Sequence, residues 1–162
     1  MNYFLIGYMG SGKTRRGREM AEELGIRFID LDTYIEERER SSIFRLFSEK
    51  GEEGFRTLES RYLREVCELF DRFVLSTGGG TPCFHGNMEY MNAQGHTIFL
   101  NTDARILAER LVHGKWRRPL INELKDEEVH PFVCRHLEER MPFYSLAREE
   151  IRESEENIEP NV

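Results

Sequence analysis

Apolar positions along the chain follow two alternating rhythms. Tyr3–Ile6, Phe28–Asp30, Phe73–Ser76 and Thr97–Leu100 are short, nearly unbroken apolar runs, as expected of parallel strands buried on both faces. The stretches between them recur at helical spacing. Thr14–Leu24 reads as a helix stopped by Gly25, and Thr33–Glu39 as another. Ser41 and Ser42 are candidate caps for a helix through Phe47. Phe55, Leu58, Tyr62, Val66 and Leu69 recur at steps of three or four, one buried stripe of a long helix. Asp103 is placed to cap a helix carrying Ile106, Leu107 and Leu111. Helical character returns from Asp126 to Ala147, with Pro131 and Pro142 expected to break it. Strands alternating with helices predict crossover units and a parallel sheet covered on both faces.

The segment from His113 to Leu124 loses its period and reads as a functional loop or lid. With no repeat and no linker, the chain is expected to be one domain, 1–162, with its core in 1–112 and 125–162 and a lid at 113–124. Hydrophobic residues make up 39% and charged residues 33%, a balance that excludes fibrous and disordered classes. No apolar run approaches the ~18 residues of a spanning helix, and no basic leader precedes the first apolar stretch, so a cytoplasmic protein free of membrane is expected. The net charge of −7 argues against nonspecific nucleic-acid binding. Of 23 basic residues only four are lysine; the arginine bias suits carboxylate or phosphate recognition, or reflects ordinary surface composition. Cys67, Cys83 and Cys134 form no metal-type spacing and read as reduced thiols.

The sharpest signal is Gly7-Tyr-Met-Gly-Ser-Gly12-Lys13-Thr14, which fits G-x-x-x-x-G-K-[ST] between a strand and a helix. Glycines let successive backbone N–H groups curl around phosphate oxygens, and the helix N-terminus adds partial positive charge. Lys13 can then reach the β- and γ-phosphates, and the Thr14 hydroxyl a Mg²⁺ ion. No N-K-x-D base-reading element accompanies it, which favours a small-molecule kinase over a GTPase.

Four further clusters bear on the acceptor. Asp30-Leu-Asp32 is read as the end of the second strand, with both carboxylates on one side. They can serve Mg²⁺ and a hydroxyl proton, or simply cap the next helix. Phe55-Arg56-x-x-Glu59 is either an exposed ion pair or an arginine held for an anionic substrate. Gly78-Gly-Gly80 calls for unusual backbone angles or close ligand approach, or is a tight turn. Lys115-Trp-Arg-Arg-Pro-Leu120 and Arg140-Met-Pro-Phe-Tyr144 add cations to a loop and a helix end, while Arg117, Arg135 and Arg148 read as solvated.

In this order, from about Asn2 to Tyr144, these motifs resemble the shikimate kinase family. The resemblance implies an α/β three-layer P-loop fold of the nucleoside-monophosphate-kinase type, with five parallel strands ordered 2-3-1-4-5 and helices on both faces. It implies ATP-dependent phosphorylation of the 3-hydroxyl of shikimate, in aromatic amino-acid biosynthesis, by a monomer using Mg²⁺. Gly10, Ser11, Gly12, Lys13, Thr14 and Arg15 would hold ATP phosphates, with Arg118 joining from the lid and Arg110 facing adenine. Thr14 and Asp30 would serve the metal. Asp32, Arg56, Gly79 and Arg140 would bind shikimate, and Lys13, Asp32 and Arg118 would carry the chemistry. After Tyr144 the family adds a strand and a terminal helix, with an adenine contact near Glu155 or Glu156. The rivals are a kinase of another polyol acid, such as gluconate, and a domain that senses ligand without transferring phosphate.

Overall fold

The computed structural model describes residues 1–154. Five strands, β1 (Tyr3–Ile6), β2 (Arg27–Asp30), β3 (Phe73–Ser76), β4 (His96–Thr102) and β5 (Glu149–Glu153), form one sheet. Their order is β2-β3-β1-β4-β5 and every pairing is parallel. The helices are α1 (Lys13–Leu24), α2 (Leu31–Glu39), α3 (Ile43–Leu69), α4 (Asn87–Gln94), α5 (Ala104–Val112) and α6 (Asp126–Tyr144).

Alternation along each strand divides the core. Phe4, Ile6, Phe73, Leu75 and Phe99 point to the face packed by α2 to α6. Leu5, Val74, Ile98 and Leu100 point the other way, where Ala21 and Met20 of α1 meet them. The apolar runs are continuous because both faces are occupied. All of β3 is buried, whereas β5, sequence EEIRE, is an edge strand and mostly exposed. Its charges discourage further pairing along that edge. The sequence carried little apolar signal there, and the strand forms through backbone pairing to β4. The terminal helix and the contact near Glu155 or Glu156 lie outside the described residues.

Several local expectations are corrected. The second strand stops at Asp30, not Asp32: Asp30 N-caps α2, its Oδ1 accepting from Thr33 N at 3.0 Å, and Asp32 lies in the first helical turn. A free backbone N–H at the helix start outweighs one more strand residue. Ser42 caps α3, which continues past Phe47 and bends at Gly51 (φ 69°, ψ 177°). The stripe on α3 ends early, since Leu69 is 61% exposed, and Leu63 joins the core instead. Asp103 occupies the N-cap of α5 without a side-chain capping bond. α6 runs through both prolines. Pro131, Pro142 and the residues four positions before them, Glu127 and Glu138, are all exposed, so both prolines lie on the solvent side of the helix. Val129, Val133 and Tyr144 meanwhile hold the buried face of the helix.

None of the described helices is long and apolar enough to cross a membrane. The three cysteines are unpaired thiols.

Candidate active site

The carboxyl ends of the central strands feed the loops where an α/β sheet binds ligands. β1 runs into the phosphate loop. Gly12 sits at the α1 N-cap with φ 86°, a left-handed conformation that a side chain would strain. Lys13 is 8% exposed, and its Nζ donates to the carbonyls of Gly7 at 2.8 Å and Tyr8 at 3.0 Å. Burial pushes its ammonium down to about 7; Asp32 resists this and Arg140 adds to it. Thr14 Oγ1 donates to Asp30 Oδ2 at 2.8 Å, so Asp30 both caps α2 and meets the threonine. The helix-cap reading of that carboxylate is seen directly.

A cavity of about 400 Å³ opens over this loop, lined by Lys13, Thr14, Asp30, Asp32, Gly79 and Arg118 among others. A second, of about 180 Å³, is lined by Asp32, Arg56, Glu59, the three glycines, Arg118 and Arg140. Asp32 and Arg118 belong to both walls. Of the three residues singled out for chemistry, Asp32 and Arg118 stand where the cavities join, and Lys13 lines the cavity over the loop. A third space, about 500 Å³, runs from Gly10, Ser11, Gly12 and Arg15 toward β5. There Arg110 donates to Gly10 O at 3.1 Å and pairs with Glu153. Arg15 stays at the surface, near Glu19.

Arg56 and Glu59 are 4% and 0% exposed, which overturns the reading of an exposed ion pair. Arg56 Nη1 donates to Glu59 Oε1 at 3.0 Å. The guanidinium also lies 4.6 Å from the Phe84 ring and 5.4 Å from that of Phe55. Arg140 is 5% exposed and has no ion-pair partner among the described residues. Two desolvated guanidinium groups thus face one cavity, with a single buried carboxylate shared on the Arg56 side. Asp32 is pushed up to about 7, chiefly by burial and then by the Glu59 and Asp30 carboxylates. Burial, with Arg117 alongside, holds Arg118 below its ordinary range.

The glycine run answers its question by close approach alone, since none of the three has positive φ. A β-carbon on Gly78 would stand 2.9 Å from Glu59 Oε2 and 3.2 Å from Asp32 Oδ1; on Gly79, 2.9 Å from Arg140 Nη1. The nearest neighbour in each case is one of the site's own side chains, and Gly79 also meets the backbone N of Met9 at 3.1 Å.

Other contributors left no local trace. Thr81 Oγ1 donates to Glu59 Oε2 at 2.7 Å, 22 positions away. Asn87 Nδ2 donates to Thr81 O at 2.9 Å. The Tyr144 hydroxyl donates to Gly79 O; this tyrosine did stand in the last motif, without an assigned task. Of the arginines taken as solvated, Arg117, Arg135 and Arg148 are all exposed, and Arg148 also donates to Asn92 O.

Comparison with known proteins places the chain among relatives of one family. The family profile named "Shikimate kinase" matches residues 9–161. Shikimate kinase of Phocaeicola vulgatus is 52% identical over 145 residues, covering 90% of this chain and 82% of that protein. That of Bacteroides fragilis is 53% identical over 144 residues, covering 89% and 80%. The crystal structure of shikimate kinase from Bacteroides thetaiotaomicron superposes with a TM-score of 0.88 at 47% identity, covering 94% of this chain and 86% of that one. Shikimate kinase from Acinetobacter baumannii, solved in complex with shikimate, gives 0.84 at 34% identity, covering 93% and 82%. With a profile match over nearly its whole length and relatives above half identity, the chain belongs to the shikimate kinase family.

Proposed function

We propose that this protein transfers the γ-phosphoryl group of ATP to the 3-hydroxyl of shikimate, releasing ADP and shikimate 3-phosphate. The observation that carries the reading is the pair of buried arginines, Arg56 and Arg140, on a cavity that shares Asp32 and Arg118 with the phosphate-loop crevice. Shikimate is a triol with one carboxylate. Two forks suit the carboxylate, and Asp32 suits a hydroxyl. The relative solved with shikimate supports the same substrate.

Phosphoryl transfer asks mainly for positioning and charge stabilisation. Backbone N–H groups of Gly10 to Thr14 hold the phosphates, with Arg15 at the rim and Arg110 beside the base. Arg56, Arg140 and the close backbone at Gly79 hold the acceptor. Asp32 accepts the hydroxyl proton as the new O–P bond forms and the bond to the β-phosphate oxygen breaks; a pKa of about 7 suits a base at neutral pH. Lys13 and Arg118 counter the charge that develops on the transferring group. The residues 113–124 act as a lid on one domain and bring Arg118 in. The Thr14 hydroxyl and Asp30 carboxylate, 2.8 Å apart, are hard oxygen donors suited to Mg²⁺. Thr14 would hold the ion and Asp30 support it through water; when bound it neutralises phosphate charge. The partners are ATP and shikimate, the working unit is a monomer, and the site of action is the cytoplasm.

Turnover with ATP and Mg²⁺, compared between shikimate and gluconate, tests the reading. Preferential formation of shikimate 3-phosphate is expected. Preference for gluconate identifies a different polyol-acid kinase, and binding of shikimate without turnover identifies a sensing domain.

A further inference from the structure

Three residues of α6 spaced by one turn, His136, Arg140 and Tyr144, each reach a different part of the site. Tyr144 donates to Gly79 O. Arg140 enters the acceptor cavity, and its guanidinium lies 5.4 Å from the centre of the Tyr8 ring. His136 Nδ1 stands 2.9 Å from the Tyr8 hydroxyl, a contact across 128 positions. The two rings meet edge to face, with centroids 5.4 Å apart.

Tyr8 is the second residue of the phosphate loop and only 1% exposed, so its side chain is spent inside the protein. Its backbone carbonyl accepts from Lys13 Nζ at 3.0 Å and from Ser11 N at 3.1 Å. One residue thus joins the donor-side lysine, through its main chain, to the helix bearing an acceptor-side arginine, through its hydroxyl.

Resting on the kinase reading above, we propose that the Tyr8–His136 pair is a positioning clamp that fixes the phosphate loop against α6 and so sets Lys13 relative to Arg140. It binds neither substrate. Reacting atoms must be held about 3–3.5 Å apart, and a misplacement of about 1 Å costs on the order of 100-fold in rate. An arrangement whose two halves come from opposite ends of the chain needs a fixed link between them. The pair is suited to that task because it is uncharged. Burial, with Arg140 and Arg56, pushes His136 down to about 4, and burial raises Tyr8 above the ordinary phenol value. No further cation is thereby set beside Arg140. Phe132 packs on the other side of the imidazole at 5.1 Å.

The test uses Tyr8→Phe, His136→Leu, His136→Asn and the double variant Tyr8→Phe/His136→Leu, reading melting temperature, separate affinities for ATP and shikimate, and kcat. Tyr8→Phe and His136→Leu should each lower kcat about 3- to 10-fold, the worth of one buried hydrogen bond, with both affinities within about twofold of wild type. The double variant should be no slower than either single one, because both remove the same bond. His136→Asn offers a polar group near the Nδ1 position and should recover most of the rate. Folded variants that melt lower but turn over at the wild-type kcat make the pair structural only, and so overturn the clamp. Additive losses, or an asparagine no better than leucine, overturn it equally. A wild type that phosphorylates gluconate instead of shikimate overturns the substrate reading alone, and the same ratios then read the clamp with gluconate. A wild type that phosphorylates neither overturns both.

Discussion

The Arg56 guanidinium lies flat against Gly80: a β-carbon on that glycine would stand 2.5 Å from Arg56 Cζ and 2.6 Å from Nη1. Gly80 has φ −92° and ψ −10°, which any residue adopts, so the glycine is there for space. A clash with a flexible side-chain end is ordinarily relieved by a swing of that end. Arg56 is enclosed and paired with Glu59, so it can give way only by leaving that pairing and its place on the cavity.

Gly80→Ala should therefore displace Arg56 without unfolding the protein. The expected outcome is a shikimate Kd raised by about tenfold or more, the scale of a lost charge-assisted hydrogen bond. ATP affinity should stay near wild type. Calorimetric titration of the two ligands separately checks this, and equal weakening of both would contradict it.

Arg56→Lys and Arg140→Lys keep the charge and lose the fork. Wild type should prefer shikimate strongly over its carboxamide analogue, and each substitution should shrink that preference. Glu59→Ala should act as a milder form of Arg56→Ala, because Glu59 holds one end of the guanidinium. A carboxylate preference that survives both lysine variants would place the carboxylate elsewhere.

Asp32 connects activity and stability to pH. Its folded value of about 7 lies above that of an unfolded carboxyl, about 4. Between pH 4 and 7 the unfolded chain has released this proton and the folded chain has kept it, so this group lowers stability as pH rises. Asp32→Asn removes the effect. The variant should gain melting temperature over wild type more at pH 8 than at pH 5, while phosphate transfer falls about 100-fold or more. Wild-type kcat/KM should climb with pH toward about 7, and that limb should vanish in the variant. Melts and rates at both pH values decide it; a gain independent of pH would show that Asp32 does not titrate between them.

Lys13→Ala should abolish nearly all turnover, about 100- to 1000-fold, since in the proposed reaction the lysine charge meets the transferring phosphate. Its circular dichroism spectrum should remain that of the folded protein. Near-normal turnover in the folded variant would remove the phosphate-loop assignment.

The proposed lid, residues 113–124, carries its own reporter. Trp116 is the only tryptophan of the chain and is 71% exposed, with the Arg117 guanidinium 5.0 Å from its ring. Lys115 ties the segment's start to Asp126 at the head of α6. Closure over ATP and shikimate that excludes water should shift Trp116 emission to the blue. Emission unchanged by saturating ligands would mean that the lid does not close.

Strands β1 to β4, the helix after the phosphate loop and the stop at Gly25 are legible in the chain because their causes are local. Apolar runs, a glycine in left-handed geometry and a 3.6-residue period act within a few residues of where they are read. The phosphate loop is legible for the same reason: its glycines, lysine and threonine are consecutive between one strand and one helix. Asp30 against Asp32 shows the limit of that legibility, since strand alternation and helix capping competed and only the folded backbone settled which ended the strand. β5 shows it from the other side, being held by β4 more than by its own EEIRE pattern. Burial of the Arg56–Glu59 pair, arrival of Arg140 on the same cavity, and the Thr81, Tyr8 and His136 contacts belong wholly to the tertiary structure. The Thr81, Tyr8 and His136 contacts join residues tens of positions apart, where no local spacing records the approach; Arg56 and Glu59 are near in sequence, but their spacing does not record their burial. Desolvation, which changes Arg56–Glu59 from a surface pair into a site, exists only once the core has closed around it.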